Sequence, residues 1–266
     1  MLASQRQDRI LAEVARDGAA RVSDLVDLLG VSDMTVRRDI EVLVSRGMAE
    51  RVHGGVRSVS GRRAEEPGFA AKSTLRIAEK QAIAREAVAL VEPGAAVALS
   101  AGTTTYEVAR LLVDLEHLTV VTNSVPVAQL FHEQPRADRT VILTGGIRTP
   151  SDALVGPVAV DALRSLHVDW LFLGAHGIDP AAGLTTPNMV EGDTDRALIA
   201  AARQLVVTVD SGKWGVVGLT TIASLDEVDV LVTDAGLAAH AHRALSERVG
   251  RLVVADAAST GTGATA

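Results

Sequence analysis

Residues 31–59 read VSDMTVRRDIEVLVSRGMAERVHGGVRSV. Val36, Ile40, Leu43 and Val44 recur at helical spacing and form one buried stripe. Thr35, Arg37, Arg38 and Glu41 fall off that stripe and face outward. Ser32 stands just before the run, where its hydroxyl can accept an orphan N–H of the first turn. Gly47 marks the helix stop. Two short extended runs follow, residues 48–52 and 56–59, joined by His53-Gly54-Gly55. Paired glycines supply the positive φ angles of a tight hairpin. The stretch therefore predicts a helix followed by a small β-wing.

The residues upstream complete the unit. Val22, Leu25, Val26, Leu28 and Leu29 make an apolar helical face, and Gly30-Val31 makes a turn. A first helix over residues 8–16 carries Ile10, Leu11 and Val14 inward. Helix, helix, turn, helix and hairpin within residues 8–59 spell a winged helix-turn-helix. A plain helical bundle with a solvated charged face is the alternative. The outward arginine pair favours DNA, because a guanidinium donates two parallel hydrogen bonds to phosphates or base edges. The candidate contacts are Ser32, Thr35, Arg37, Arg38, Arg51, His53, Gly54 and Gly55. The partner expected is double-stranded operator DNA.

"VS-x-x-TVRRDIEVL" followed by "RGMAERVHGGV" resembles the N-terminal signature of the DeoR/GlpR family of bacterial transcriptional regulators. Ser32, Thr35, Arg37-Arg38-Asp39 and His53-Gly54-Gly55 carry the resemblance.

Composition bounds what else the chain can be. It has 266 residues, room for one large or two ordinary domains. Only 2% of residues are aromatic, so Val, Leu, Ala and Ile must fill the core. The absence of cysteine excludes disulfides, thiol catalysis and cysteine-ligated metals. No cofactor and no metal site are expected. No secretory leader or membrane-length apolar run is evident, so a cytoplasmic location is expected. Net charge is −7, but residues 1–57 hold nine basic and nine acidic side chains. The acidity thus lies outside the presumed DNA-binding unit. That unit must rely on a local stripe of Arg37, Arg38, Arg51 and Arg57, with strong salt dependence. Two or more copies binding together would compensate, so a homo-oligomer, dimer or tetramer, is expected.

The domain boundaries expected are 1–59 for the head, 60–70 for a polar linker, 71–256 for a second domain and 257–266 for a disordered tail. Residues 71–90 read as one helix with Ile77, Ile83, Ala84 and Ala87 inward. Strand candidates then fall at 96–99, 119–122, 140–144, 170–173, 205–209, 228–232 and 252–254. Helical stretches separate most of them, at 104–112, 125–131, 157–166, 193–203 and 238–249. Near-continuous apolar strands alternating with helices imply α/β class: a Rossmann-like, mostly parallel sheet covered on both faces. Strand order is not readable from this pattern.

In such sheets ligands sit at the carboxyl ends of the strands. Ser100, Ala101, Gly102, Thr103, Thr104 and Thr105 follow the first strand and open a helix. Backbone N–H groups and hydroxyls there make an anion pocket, or else simply an N-capping threonine run. Asn123 and Ser124 end the second strand; Gly145, Gly146 and Arg148 follow the third. His176 and Asp179 follow the fourth, Asp210 and Lys213 the fifth, and Glu191 lies between. Each loop alone is ordinary turn chemistry. Together the threonines, Arg148 and Lys213 suit a phosphate, and Asn123, Asp179, Glu191 and Asp210 suit sugar hydroxyls or the orientation of Lys213.

"GTTT", "VVTNS", "TGGIR", "DWLFLGAHGID", "GLTT" and "DSGKWG" resemble the C-terminal sensor domain of the same family, which is related to ribose-5-phosphate isomerase-type enzymes. The resemblance implies a phosphorylated sugar as effector. It departs in one place: Ser100 stands where the family commonly has an acid, two positions before the Gly-Thr-Thr. The competing reading is an active isomerase with a DNA-binding module. An isomerase needs a carboxylate base at the sugar carbon. The corresponding enzyme loop resembles Gly-Ala-Asp-Glu-hydrophobic-Asp, and here His176 and Gly177 stand in place of two acids. No catalytic residue is therefore assigned. A purely structural DNA binder is disfavoured by the neutral head and the polar loops. The expectation is a repressor of a sugar or polyol catabolic operon, released by a phosphorylated sugar, with no membrane partner.

Overall fold

The computed structural model describes residues 2–17, 19–46, 48–52, 54–57 and 68–256. They divide into two units, Met1–Arg76 and Ile77–Ala266. Gly47, His53, residues 58–67 and the tail from 257 lie outside the described residues, and the readings that concern them go no further.

In chain order the first unit has α1 (Ala3–Asp17), β1 (Ala19–Arg21), α2 (Val22–Leu29), α3 (Asp33–Ser45), β2 (Glu50–Val52), β3 (Gly55–Arg57) and α4 (Phe69–Ser73). The apolar stripes meet in one core: Ile10 and Val14 from α1, Leu25 and Leu29 from α2, and Val36, Ile40 and Leu43 from α3. Burying each large aliphatic side chain contributes roughly 1.5–3 kcal/mol. Leu28 departs from the inward face expected of it and is 40% exposed. It lies just outside the arc that Val22, Leu25 and Leu29 turn to the core. Gly30 ends α2 in the left-handed region at φ 64, its N–H donating to Val26 O at 2.9 Å. The wing is a three-stranded antiparallel sheet ordered β1-β3-β2. The third strand, β1, has only three residues and gave no periodic signal.

The second unit continues with α5 (Ile77–Val88), β4 (Ala96–Leu99), α6 (Thr103–Leu112), β5 (Thr119–Thr122), α7 (Val125–Glu133), β6 (Thr140–Leu143), β7 (Ile147–Arg148), β8 (Leu154–Val155) and α8 (Pro157–Leu163). Then come β9 (Val168–Leu173), β10 (Gly177–Asp179), β11 (Gly183–Thr186), α9 (Met189–Ala201), β12 (Ala202–Thr208), β13 (Thr220–Ala223), β14 (Val230–Asp234), α10 (Ala239–Ser246) and β15 (Arg251–Ala255). All seven expected strands join one sheet in the order β15-β14-β12-β9-β4-β5-β6, and every pairing is parallel. Side chains alternate across it. Val97 and Leu99 pack towards Ala84, Val108 and Val127 of α5, α6 and α7. Ala98 packs towards the other layer, with Leu163, Leu198 and Leu245 of α8, α9 and α10.

Three expectations need correction. The helix read over 71–90 is two, α4 and α5, broken at Thr74–Arg76 where Arg76 takes φ 48. Ile77, at the break, is 39% exposed rather than inward. The sheet is not covered throughout: on the edge strand β6, Val141 and Leu143 are 38% and 43% exposed. Two small antiparallel additions escaped the pattern, the β7–β8 hairpin and the sheet β10-β11-β13. Their strands are two to four residues long, too short for an alternation to register.

Candidate DNA-reading face and effector crevice

Ser32 caps α3, its Oγ accepting Thr35 N–H at 3.3 Å while the two hydroxyls bond each other at 2.9 Å. These two signature residues are engaged in forming the helix start. Beyond them α3 presents Met34, Arg37, Arg38 and Glu41 outward. Arg37 is bound by Asp33 one turn back, with NH2 to Oδ2 at 3.2 Å. That hydrogen bond, then the Asp33 charge, raises the guanidinium pKa above its ordinary value. Arg51 of the wing reaches Glu41 at 3.3 Å. Arg38 is exposed and, among the described residues, forms no ion pair. The basic stripe is thus partly neutralised before any phosphate arrives.

Asp39, part of the same signature run, does not face DNA. It is 4% exposed and accepts Arg6 Nε at 2.7 Å and Gln7 Nε2 at 3.2 Å, tying α1 to α3. The wing glycines have separate roles. Gly54 turns the hairpin at φ 78, whereas a Cβ on Gly55 would stand 2.4 Å from Ala20 O of β1.

In the second unit, chain order reverses between β4 and β9, which makes this the topological switch point of the sheet. The two strand ends are tied together there. Ser100 N donates to Phe172 O at 3.0 Å, and Gly174 N donates to Ser100 Oγ at 3.1 Å. Ser100 is 1% exposed, so the position read as a lost carboxylate holds a buried crosslink between loops. Gly102 precedes α6 and supplies no side-chain cap. Thr105 Oγ1 bonds Ser100 O at 2.8 Å. Among the described residues, the Thr103 and Thr104 hydroxyls bond no other group of the chain, although both residues are buried. They stand beside the free N–H groups and positive dipole end of α6.

Most other candidates form the frame around this point. Asn123, 1% exposed, uses both ends of its amide: Oδ1 accepts Ala101 N at 2.9 Å and Nδ2 donates to Leu154 O at 3.3 Å. Ser124 caps α7. Gly145 and Gly146 lead from β6 into the β7–β8 hairpin, where Arg148 pairs with Asp152 at 2.7 Å. Glu191 lies in the first turn of α9 and accepts Thr149 Oγ1 at 2.8 Å, Ser151 Oγ at 2.5 Å and Thr186 Oγ1 at 3.4 Å. Three hydroxyl donors fix this carboxylate in place. His176 N donates to Thr185 O at 3.1 Å, and Asp179 accepts Ala181 N and Ala182 N to close the β10–β11 turn. Asp210 accepts Gly212 N at 3.1 Å, and Asp234 accepts Ser211 N at 2.6 Å and Ser211 Oγ at 2.9 Å. These two carboxylates fix the loop that carries Lys213, which forms no ion pair among the described residues. Asp234 was missed by sequence reasoning because its partner lies 23 residues away.

The segment after Lys213 crosses the small sheet. Gly215 N donates to Ile178 O at 2.8 Å, Trp214 bridges Ile178, and Gly218 N donates to Thr185 Oγ1 at 2.9 Å. At the crossing a Cβ on Gly177 would stand 2.0 Å from Val216 O. The glycine where an acid was sought is therefore a steric requirement.

Residues 75–235 match the DeoR C terminal sensor domain, and residues 6–62 match the DeoR-like helix-turn-helix domain. The chain belongs to the DeoR family. It is a DNA-binding transcriptional regulator, and its relatives are named as regulators rather than enzymes. The uncharacterized HTH-type transcriptional regulator YgbI of Escherichia coli K12 is 38% identical over 96% of this chain and 99% of its own length. The putative aga operon transcriptional repressor of Escherichia coli O157:H7 is 34% identical, covering 89% of this chain and 88% of that protein. GlpR of Haloferax volcanii is 37% identical, covering 89% and 92%. Among solved structures, a D-ribose-5-phosphate isomerase in complex with phospho-erythronic acid aligns at 20% identity and TM-score 0.38, over 51% of this chain and 52% of that one. Among the described residues no helix is long and apolar enough to cross a membrane.

Proposed function

We propose that this regulator represses a sugar or polyol catabolic operon and leaves its operator when a phosphorylated sugar binds at the carboxyl edge of the large sheet. The observation that carries the reading is the pair of hydroxyls, Thr103 and Thr104, that bond no other group among the described residues at the start of α6, with Lys213 on a second strand end. Hydroxyls, helix N–H groups and one ammonium make an anion site. Gly102 lets the backbone approach the phosphate. Asn123, Ser124, Thr105, Gly145, Gly146, Asp179, Asp210 and Glu191 hold the frame, and His176 and Arg148 remain candidates for contact with the effector. One relative is named a lactose phosphotransferase system repressor, which agrees with a carbohydrate signal. The neutral head suits a homo-oligomer, dimer or tetramer, that sets several heads on one operator.

The test compares one sugar with and without its phosphate by calorimetry. Lys213→Ala is expected to weaken the phosphorylated form about tenfold or more, the range of one charge-assisted hydrogen bond. Operator binding without effector stays near normal. Equal affinity of the wild type for both sugar forms rules the site out. Because effector and operator binding are linked, each weakens the other by the same factor.

On the head, Arg38→Ala is expected to lose roughly 1–3 kcal/mol of operator affinity, the range of one bidentate base contact. Fluorescence anisotropy at fixed salt checks it. Wild-type affinity in the variant removes Arg38 from operator recognition.

A further inference from the structure

Met34 is 75% exposed, the highest value among the exposed large hydrophobic side chains of the described residues. It is the second residue of α3, three and four positions before Arg37 and Arg38. Residues so spaced share one helix face. All three border one open cleft where α3 meets α1, whose other wall is Ala3, Arg6 and Gln7. The head's own core leaves Met34 out and is filled by Val36, Ile40 and Leu43 from the opposite side of the helix. The first turn of the second helix of a helix-turn-helix is the part that reaches base edges in the major groove. The one apolar group a base edge offers there is the C5-methyl of thymine. An unbranched thioether can swing to meet it without disturbing the arginines beside it.

We propose that Met34 reads a thymine methyl in the operator half-site, adjacent to the base read by Arg38. This rests on α3 lying in the major groove. The Ser32 and Thr35 hydroxyls, engaged with each other and with the helix start, leave Met34 as the residue of this turn free to discriminate among bases. It therefore adds preference for T over C at one position, where the arginines supply preference for G.

The experiment uses the full chain. Duplexes are first selected from a random-sequence pool, which defines the half-site. Each thymine of the selected half-site is then replaced singly by deoxyuridine, which removes the methyl and keeps every hydrogen-bonding group. One replacement is expected to weaken the wild type about fourfold, the scale of one buried methyl. The same replacement leaves Met34→Ala unchanged, since that variant has already lost the contact. Additive losses in Met34→Ala, or no thymine at which the wild type responds, overturn the proposal. Arg38→Ala on the unmodified duplex separates the two levels. If it binds at full strength, the groove placement fails as well; if it binds weakly while the uracil series is silent, only Met34 is excluded.

Discussion

Asp39→Ala is expected to unfold the DNA-binding head while the sensor unit keeps its own transition. Asp39 is buried and binds Arg6, whose side chain is only 15% exposed, so the variant removes a buried carboxylate that holds this guanidinium and ties α1 to α3. Breaking a buried pair from one side costs roughly 3–5 kcal/mol. A unit of this size shifts its melting temperature by roughly 4–8 °C for each kcal/mol. Calorimetry should therefore show a head transition lowered by more than about 10 °C beside an unmoved second transition. The double variant Arg6→Met, Asp39→Leu should recover much of the loss, because matched apolar groups replace the pair. A head as stable in Asp39→Ala as in the wild type would mean that α1 and α3 are held by Ile10 and Leu43 alone.

Gly177→Ala should damage the other unit in a different way. The added Cβ meets a backbone carbonyl, Val216 O, at 2.0 Å, and that segment is pinned on both sides by Gly215 and Gly218 hydrogen bonds. Neither strand can yield cheaply, so the loss should reach or exceed the upper end of overpacking, about 3 kcal/mol. The displaced segment begins at Lys213, so effector affinity should fall together with stability. Gly215→Ala provides the contrast. Its Cβ has open space, so only the strain of φ 75 is added and the crossing is kept. Equal melting temperatures for Gly177→Ala and wild type would show that the crossing is loose.

Periodic apolar strands and helices were legible in the sequence because their signal repeats within a few residues. Residues 96–99, 119–122 and 140–144 announce themselves in this way. The order in which they pair depends on contacts between strands such as β4 and β9, 73 residues apart through Ala96 and Asp169, and no local pattern encodes that. The same holds for the site. Asn123 and Arg148 were legible as polar residues at strand ends. What their side chains do depends on Ala101, Leu154 and Asp152, so framework and contact could not be told apart beforehand. Ser100 shows it most clearly: read alone it is a missing acid, whereas in the fold it links two loops across the switch point.

The Asp33–Arg37 and Glu41–Arg51 pairs bear on how this regulator finds its target. Each is exposed and individually weak, because solvent screens both charges. Yet a guanidinium paired in this way must leave its carboxylate before it can take a phosphate. Any random stretch of chromosome therefore meets a head whose attraction is partly cancelled. A genome offers on the order of a million or more decoy positions for each operator. A regulator with short dwell times on decoys scans faster, which leaves more of its population available to the operator.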